Sequence, residues 1–234
     1  MYGYFMKVIL AVCMTFACLP SVAQNAPDNE DILAKTIDPD SPYYYPSLML
    51  RYTNGDETLS DKDYYYLYYG YAYSDSYRPL ESIPAEMKVL EVLERSQDDP
   101  TVYDMQEMIR YAGEVMKADP FSPSNLNLLV YAYGMIGDTV NERLNYDRMN
   151  KVLATIRNSG TGLTESSPMH VLRFSHASDL LGSYGLEVTN RMIVSRTAEY
   201  ISVSQDGRPQ RKGYYFDYSR VYWRKPDGTA SATN

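Results

Sequence analysis

The sequence is poor in cysteine, with two residues, Cys13 and Cys18, in a chain of 234. Both lie within residues 1–23, which have the features of a secretory signal peptide. Removal of this segment leaves a mature chain without cysteine, and this excludes disulfides, thiol catalysis and thiolate metal sites. Lipidation at Cys18 requires a leucine-like residue three positions earlier. Thr15 stands there, which favours ordinary cleavage and leaves lipidation as the less favoured alternative.

The apolar stretch in this segment, residues 8–19, is shorter than the roughly 20 residues that a transmembrane helix requires. Lys7 precedes it, and Ser21 and Ala23 supply the small residues that a signal peptidase recognises. We therefore expect an exported protein, periplasmic or extracellular, with no stable membrane insertion after cleavage. Export without disulfides fits a bacterial periplasm or outer surface best.

The chain also lacks an excess of basic residues, since its formal net charge is −8. Loss of the one charge in the signal peptide, that of Lys7, makes the mature chain more negative by one. Such a charge argues against nucleic acid and anionic membrane surfaces as partners, because both attract basic proteins.

Histidine is equally scarce, with His170 and His176 as the two in the chain. If Met169 to His176 form one strand, the two side chains face the same way but lie about 20 Å apart, at about 3.3 Å per residue. They then cannot share a metal ion, whose ligand nitrogens lie about 2 Å from it. We predict structural or surface roles for both histidines, and neither a metal nor a cofactor. One catalytic histidine oriented by Asp179 is the alternative.

Tyrosine, by contrast, is abundant: the chain has 25, and twelve of them lie between Tyr43 and Tyr77. Ser60 and Asp63 form a capping-box pattern, which predicts a helix from about Asp61. On that helix Tyr64, Tyr68 and Tyr71 share one face, and other tyrosines cover much of the opposite face. A helix that is aromatic all round has to be covered on several sides, so we predict a packing centre. Glycan stacking on Tyr64, Tyr68 and Tyr71 is the alternative.

Helical periodicity dominates residues 43–158 and predicts antiparallel hairpins joined by short turns. The segment from Asp119 to Asp138 resembles a tetratricopeptide-repeat junction, with Leu126, Leu129 and Tyr133 at the expected spacing. A generic helical hairpin also explains these residues and is the preferred interpretation. Before this region, residues 24–42 read as a polar lead-in with one helical turn at Ile32 and Leu33.

The periodicity of the apolar residues changes after the glycine-containing segment 158–162. Residues 169–174 alternate like a strand, 178–184 suit a short helix, and 191–204 and 213–223 are typical of strands. We therefore predict an α+β protein in which the hairpins are followed by a small C-terminal sheet with one short helix, over residues 159–224. Residues 225–234 read as a disordered tail.

Several phrases of this sequence are similar to those of one bacterial family, the domain of unknown function 4919 (DUF4919). They are Tyr44–Met49 followed by Arg51 and Tyr52, Gly55-Asp56 with Thr58-Leu59, Asp63–Tyr71, Met169–Val171, Leu180-Leu181 and Tyr214–Asp217. The resemblance implies export from a Gram-negative bacterium and one compact unit. The family has no assigned activity, so it implies no catalytic residue or substrate.

No catalytic constellation emerges from the sequence. Our leading hypothesis is accordingly a non-catalytic binding or accessory module that holds a peptide, a glycan or a protein partner in a groove between the hairpins and the sheet. A hydrolase with a single-histidine acid–base site at His170 or His176, and a glycan-binding protein lined by tyrosines, are the alternatives.

Overall fold

The computed structural model describes residues 26–210 and 212–223. The predicted signal peptide with Cys13 and Cys18, and the predicted tail from residue 225, lie outside these ranges. The helices are α1 (Asn29–Ile37), α2 (Tyr45–Thr53), α3 (Asp61–Gly70), α4 (Pro84–Arg95), α5 (Val102–Ala118), α6 (Pro123–Met135), α7 (Thr139–Arg157) and α8 (Phe174–Ser183). The strands are β1 (Met169–His170), β2 (Glu187–Ile193), β3 (Ala198–Gln205), β4 (Arg208–Pro209) and β5 (Tyr214–Asp217). The predicted α+β class is confirmed.

Helix α3 carries most of the tyrosine cluster and begins where the capping box predicts. The Asp63 amide donates to Ser60 Oγ at 3.2 Å, and the Ser60 amide donates to Asp63 Oδ2 at 2.8 Å. One turn of 3₁₀ helix, Tyr71–Tyr73, continues it. Buried residues occur on every side of α3, so the prediction that several partners cover it is confirmed.

Helix α1 corrects the prediction of a single helical turn at Ile32 and Leu33, because it extends over nine residues. The Asp28 carboxylate accepts from the amides of Glu30 and Asp31 and caps the helix. Ile32 is fully buried, and Asp31 accepts a hydrogen bond of 2.7 Å from the Tyr66 hydroxyl of α3. Packing against α3 therefore stabilises α1, a helix whose length the polar composition of residues 24–42 does not predict.

Helices α4 to α7 form the predicted series of hairpins. Thr101 caps α5 in a capping box with Asp104, and Ser122 caps α6 through the Asn125 amide. Gly137, with φ of +79°, turns the chain between α6 and α7, a conformation that glycine adopts without strain. Because the connections are short, successive helices pack side by side and antiparallel.

The sheet is small and mixed, with strand order β1-β5-β3-β2 and β4 paired with β3. β1 pairs with β5 in parallel, and the remaining pairs are antiparallel. The predicted strand over residues 169–174 is wrong beyond His170, since helix α8 begins at Phe174. The α8 residues His176, Ala177, Leu180 and Leu181 are buried, and this spacing is helical.

One hydrophobic core joins the hairpins to the sheet. It contains residues from α1, α3, α8 and β5, among them Ile32, Tyr68, Leu180 and Phe216. The two predicted regions therefore pack as a single unit. Within the described ranges, no helix combines the length and the apolar character needed to cross a bilayer.

Candidate functional site

The three tyrosines proposed for glycan stacking lie in the core. Tyr64, Tyr68 and Tyr71 are 5%, 0% and 2% exposed. The Tyr71 hydroxyl donates to the Ala118 carbonyl at 2.9 Å, so its polar end is already occupied. Rings that the core covers offer no face to a sugar, and the structure does not support a stacking role for them.

His176 lies at the centre of a buried polar network. Its Nδ1 is 2.8 Å from the Tyr68 hydroxyl, and its Nε2 is 3.1 Å from Asp119 Oδ2. The Tyr68 hydroxyl also accepts from the Leu172 amide at 3.2 Å. Arg173 Nε lies 3.3 Å from Asp119 Oδ2, an ion-pair distance, although its N–H makes no hydrogen bond to any described residue.

This arrangement has the order of an acid–base relay, carboxylate to imidazole to hydroxyl, but the core encloses it. His176 and Tyr68 are 0% exposed and Asp119 is 3% exposed. A relay acts only on a proton within hydrogen-bond reach of a substrate. The network joins α3, α8 and the C-terminal end of α5, and we interpret it as a structural link.

Asp179, which the sequence offers as the partner that orients a histidine, does not hydrogen-bond to His176. It accepts instead from the Ser124 amide at 3.2 Å, and burial raises the pKa of Asp179 above its usual value. Asp119 takes the orienting position. The sequence places Asp119 at the start of the tetratricopeptide-like segment and offers no link to His176, which is 57 positions away.

His170 lies in a separate pair on the sheet, where its Nδ1 is 3.2 Å from Asp217 Oδ1. Burial alone would raise the pKa of Asp217, but hydrogen bonds from His170 and Ser219 outweigh it and lower the pKa to about 2. The carboxylate is therefore ionised at neutral pH. The two histidines thus pair with different carboxylates. The structure does not bring them together in one site.

An open groove of about 590 Å³ lies where the hairpins meet helix α8 of the C-terminal region. We call it the junction groove. Helix α7 forms one wall, the α2–α3 loop with the start of α3 forms the other, and the end of α8 closes one side. Its lining residues are Tyr52, Asp56, Glu57, Leu59, Asp61, Tyr64, Leu144, Asp147, Arg148, Asn150, Lys151, Leu153, Ala154, Arg157, Leu180, Ser183 and Tyr184.

The charges of the junction groove are only partly neutralised within the protein. Arg51, Arg143 and Lys151 form ion pairs with three of its carboxylates, those of Asp56, Glu57 and Asp61. Among the described residues, Asp147, Arg148 and Arg157 form no ion pair. The groove therefore presents one carboxylate and two guanidinium groups to a ligand.

Tyr64 is the one candidate tyrosine that lines the junction groove. Burial raises its pKa to about 12, so its hydroxyl is protonated at neutral pH. That hydroxyl makes no hydrogen bond to the described residues, whereas the Tyr52 hydroxyl donates to the Pro120 carbonyl at 2.7 Å. The Tyr64 hydroxyl is thus available to a ligand as donor and acceptor.

In the described ranges, no three His, Cys, Asp or Glu side chains cluster as a metal site. The two histidines are committed to Asp119 and Asp217.

Comparison with known proteins gives one match. The model of the family described as "Domain of unknown function (DUF4919)" matches residues 30–225, a range that contains both histidine pairs and the whole junction groove. No curated protein and no solved structure matches the chain.

Proposed function

Because the chain belongs to the DUF4919 family, whose description assigns no activity, we propose from the groove itself that the protein is an exported accessory module that binds a peptide. The observation that carries this proposal is the junction groove, an open site with uncommitted polar groups. The described histidines, by contrast, lie in pairs that line no part of it.

The chemistry of the junction groove suits a peptide. Leu144 and Leu153 are half-buried and supply apolar surface for side chains. The Tyr64 hydroxyl can form hydrogen bonds with backbone groups. Arg157 can pair with an acidic side chain and Asp147 with a basic one. A peptide presents all of these partners within a few residues, whereas a neutral glycan would leave the guanidinium groups without counter-charges.

Export is the second part of this proposal, and it rests on the signal-peptide features of residues 1–23. We expect the mature protein isolated from its native host to begin at Gln24, as measured by intact mass and N-terminal sequencing. A mature chain that keeps Cys13 would contradict export by this signal. A lipid-modified N-terminus at Cys18 would instead indicate a lipoprotein.

Binding in the junction groove predicts a specific response to substitution. Peptides selected against the purified protein from a random octapeptide library should bind about tenfold more weakly to Arg157→Gln, because a charge-assisted hydrogen bond is lost. Tyr64→Phe should weaken binding by about threefold to tenfold, since it removes one neutral hydrogen bond. Titration calorimetry measures both changes.

Matched controls use the same residue types outside the groove. Arg196 and Tyr131 are exposed and line no part of it, so Arg196→Gln and Tyr131→Phe should leave affinity unchanged. Equal losses in the control and groove variants would contradict the proposed site, as would a failure to select any binding peptide.

A further inference from the structure

A second cleft adjoins the junction groove. It encloses about 670 Å³ between the end of α2 and helices α5, α6 and α7, and we call it the α2–α7 cleft. Tyr52, Leu144 and Arg148 line both the cleft and the junction groove. A chain-like ligand lying in the groove therefore needs only to pass Arg148 to enter the cleft.

The α2–α7 cleft is unusual for its charge. The described residues that line it include two cations, Lys117 and Arg148, and no aspartate or glutamate. The whole chain has a net charge of −8, so this is a local reversal of sign within an acidic protein. Such a cleft concentrates anions and repels cations.

Arg148 is held in place but keeps hydrogen-bond donors free. Its Nη2 donates to the carbonyls of Tyr52 and Thr53 at the end of α2, and its guanidinium carbon lies 4.5 Å from the centre of the Tyr52 ring. Its Nε and Nη1 bond to no described residue. A guanidinium fixed in this way can donate a charge-assisted hydrogen bond to a carboxylate with little loss of side-chain entropy.

The remaining lining residues supply groups that could bind the end of a peptide chain. Asn54 brings a side-chain amide that makes no hydrogen bond to the described residues, and an amide can pair with a backbone peptide group. Met49, Ile109 and Met116 supply apolar surface for one side chain. Lys117 is exposed at the cleft and forms no ion pair in the described ranges.

We propose that the α2–α7 cleft holds the C-terminal carboxylate of the peptide whose preceding residues occupy the junction groove. Arg148 and Lys117 neutralise the carboxylate, Asn54 bonds to the last peptide group, and the apolar lining receives the last side chain. This inference rests on the proposed function, since it assigns the direction and the terminal group of the same ligand.

The test compares two forms of one probe. Octapeptides selected with free C-termini are synthesised as the acid and as the C-terminal amide, and their dissociation constants for the purified protein are measured by calorimetry. We expect the amide to bind at least about tenfold more weakly, because it lacks the negative charge of the carboxylate that Arg148 and Lys117 neutralise. Lys117→Gln should weaken binding of the acid and leave binding of the amide unchanged.

Lys88→Gln is the matched control, since Lys88 is an exposed lysine on α4 that lines no part of the cleft. Equal affinity for acid and amide overturns the carboxylate inference. If those peptides still lose affinity in Arg157→Gln, the junction groove survives and only the cleft assignment fails. If no peptide binds, both fail.

Discussion

Replacing Tyr69 by alanine lowers the free energy of unfolding by about 3 to 5 kcal/mol, the range for deleting a large aromatic side chain from a core. The Tyr69 ring is fully buried and packs edge-on against Tyr65 and Tyr68, at centroid distances of 5.3 and 5.0 Å. Its hydroxyl donates to the His170 carbonyl at 3.1 Å. The substitution therefore opens a cavity and removes a link between α3 and the sheet.

Urea denaturation followed by circular dichroism measures this change. The control is Tyr131→Ala, at a tyrosine on α6 that is 44% exposed, where we expect a change within about 0.5 kcal/mol. Similar values for the two variants would mean that the tyrosine cluster does not form the core.

Replacing His176 by alanine is expected to destabilise the protein by about 2 to 4 kcal/mol, because two buried polar groups each lose a hydrogen bond while Arg173 still neutralises Asp119. Asp119 and the Tyr68 hydroxyl would each lose a hydrogen bond. Neither group can reach water to replace it, since both are almost fully buried.

The other histidine is a matched control for this variant. The side chain of His170 is 18% exposed, and its partner Asp217 keeps the hydrogen bond from Ser219. We therefore expect His170→Ala to cost only about 1 kcal/mol. Equal effects of the two substitutions on the urea midpoint would refute the structural role assigned to the His176 network.

Local signals in the sequence predict the helical part of the fold well. The capping box at Ser60 places the start of α3, and the helical periodicity of residues 43–158 agrees with helices α2 to α7. These signals lie within a few residues of each other, so they can be read without tertiary information. The resemblance to the DUF4919 family, which rests on short sequence phrases, is confirmed over residues 30–225.

The predictions are wrong where contacts between residues distant in the sequence determine the secondary structure. Helix α1 is polar on most of its surface and is stabilised by contacts with Tyr65 and Tyr66, more than 30 positions away. Residues 169–174 alternate in the sequence, but only Met169 and His170 find a strand partner, in β5. Alternation over so few residues cannot by itself distinguish a strand from the approach to a helix.

The candidate sites were the least predictable part. Asp119 and Tyr68 meet His176 across 57 and 108 positions, and no spacing rule connects them. The junction groove combines α7 with loop residues about 90 positions earlier and with the end of α8. The sequence predicts a groove between the hairpins and the sheet, whereas the junction groove is lined by α8 and by none of the described strands. Of the candidate site residues, Tyr64 alone lines it.

Hydrogen–deuterium exchange of the purified protein, with and without a selected octapeptide acid, tests peptide binding at the junction most directly. We predict slower exchange in the peptide complex for residues 54–59, which form the loop wall of the junction groove, and for the end of α8. Amides at the exposed strand β2 should be unchanged. Protection that appears at β2 and leaves the loop and α8 unaffected would contradict this account.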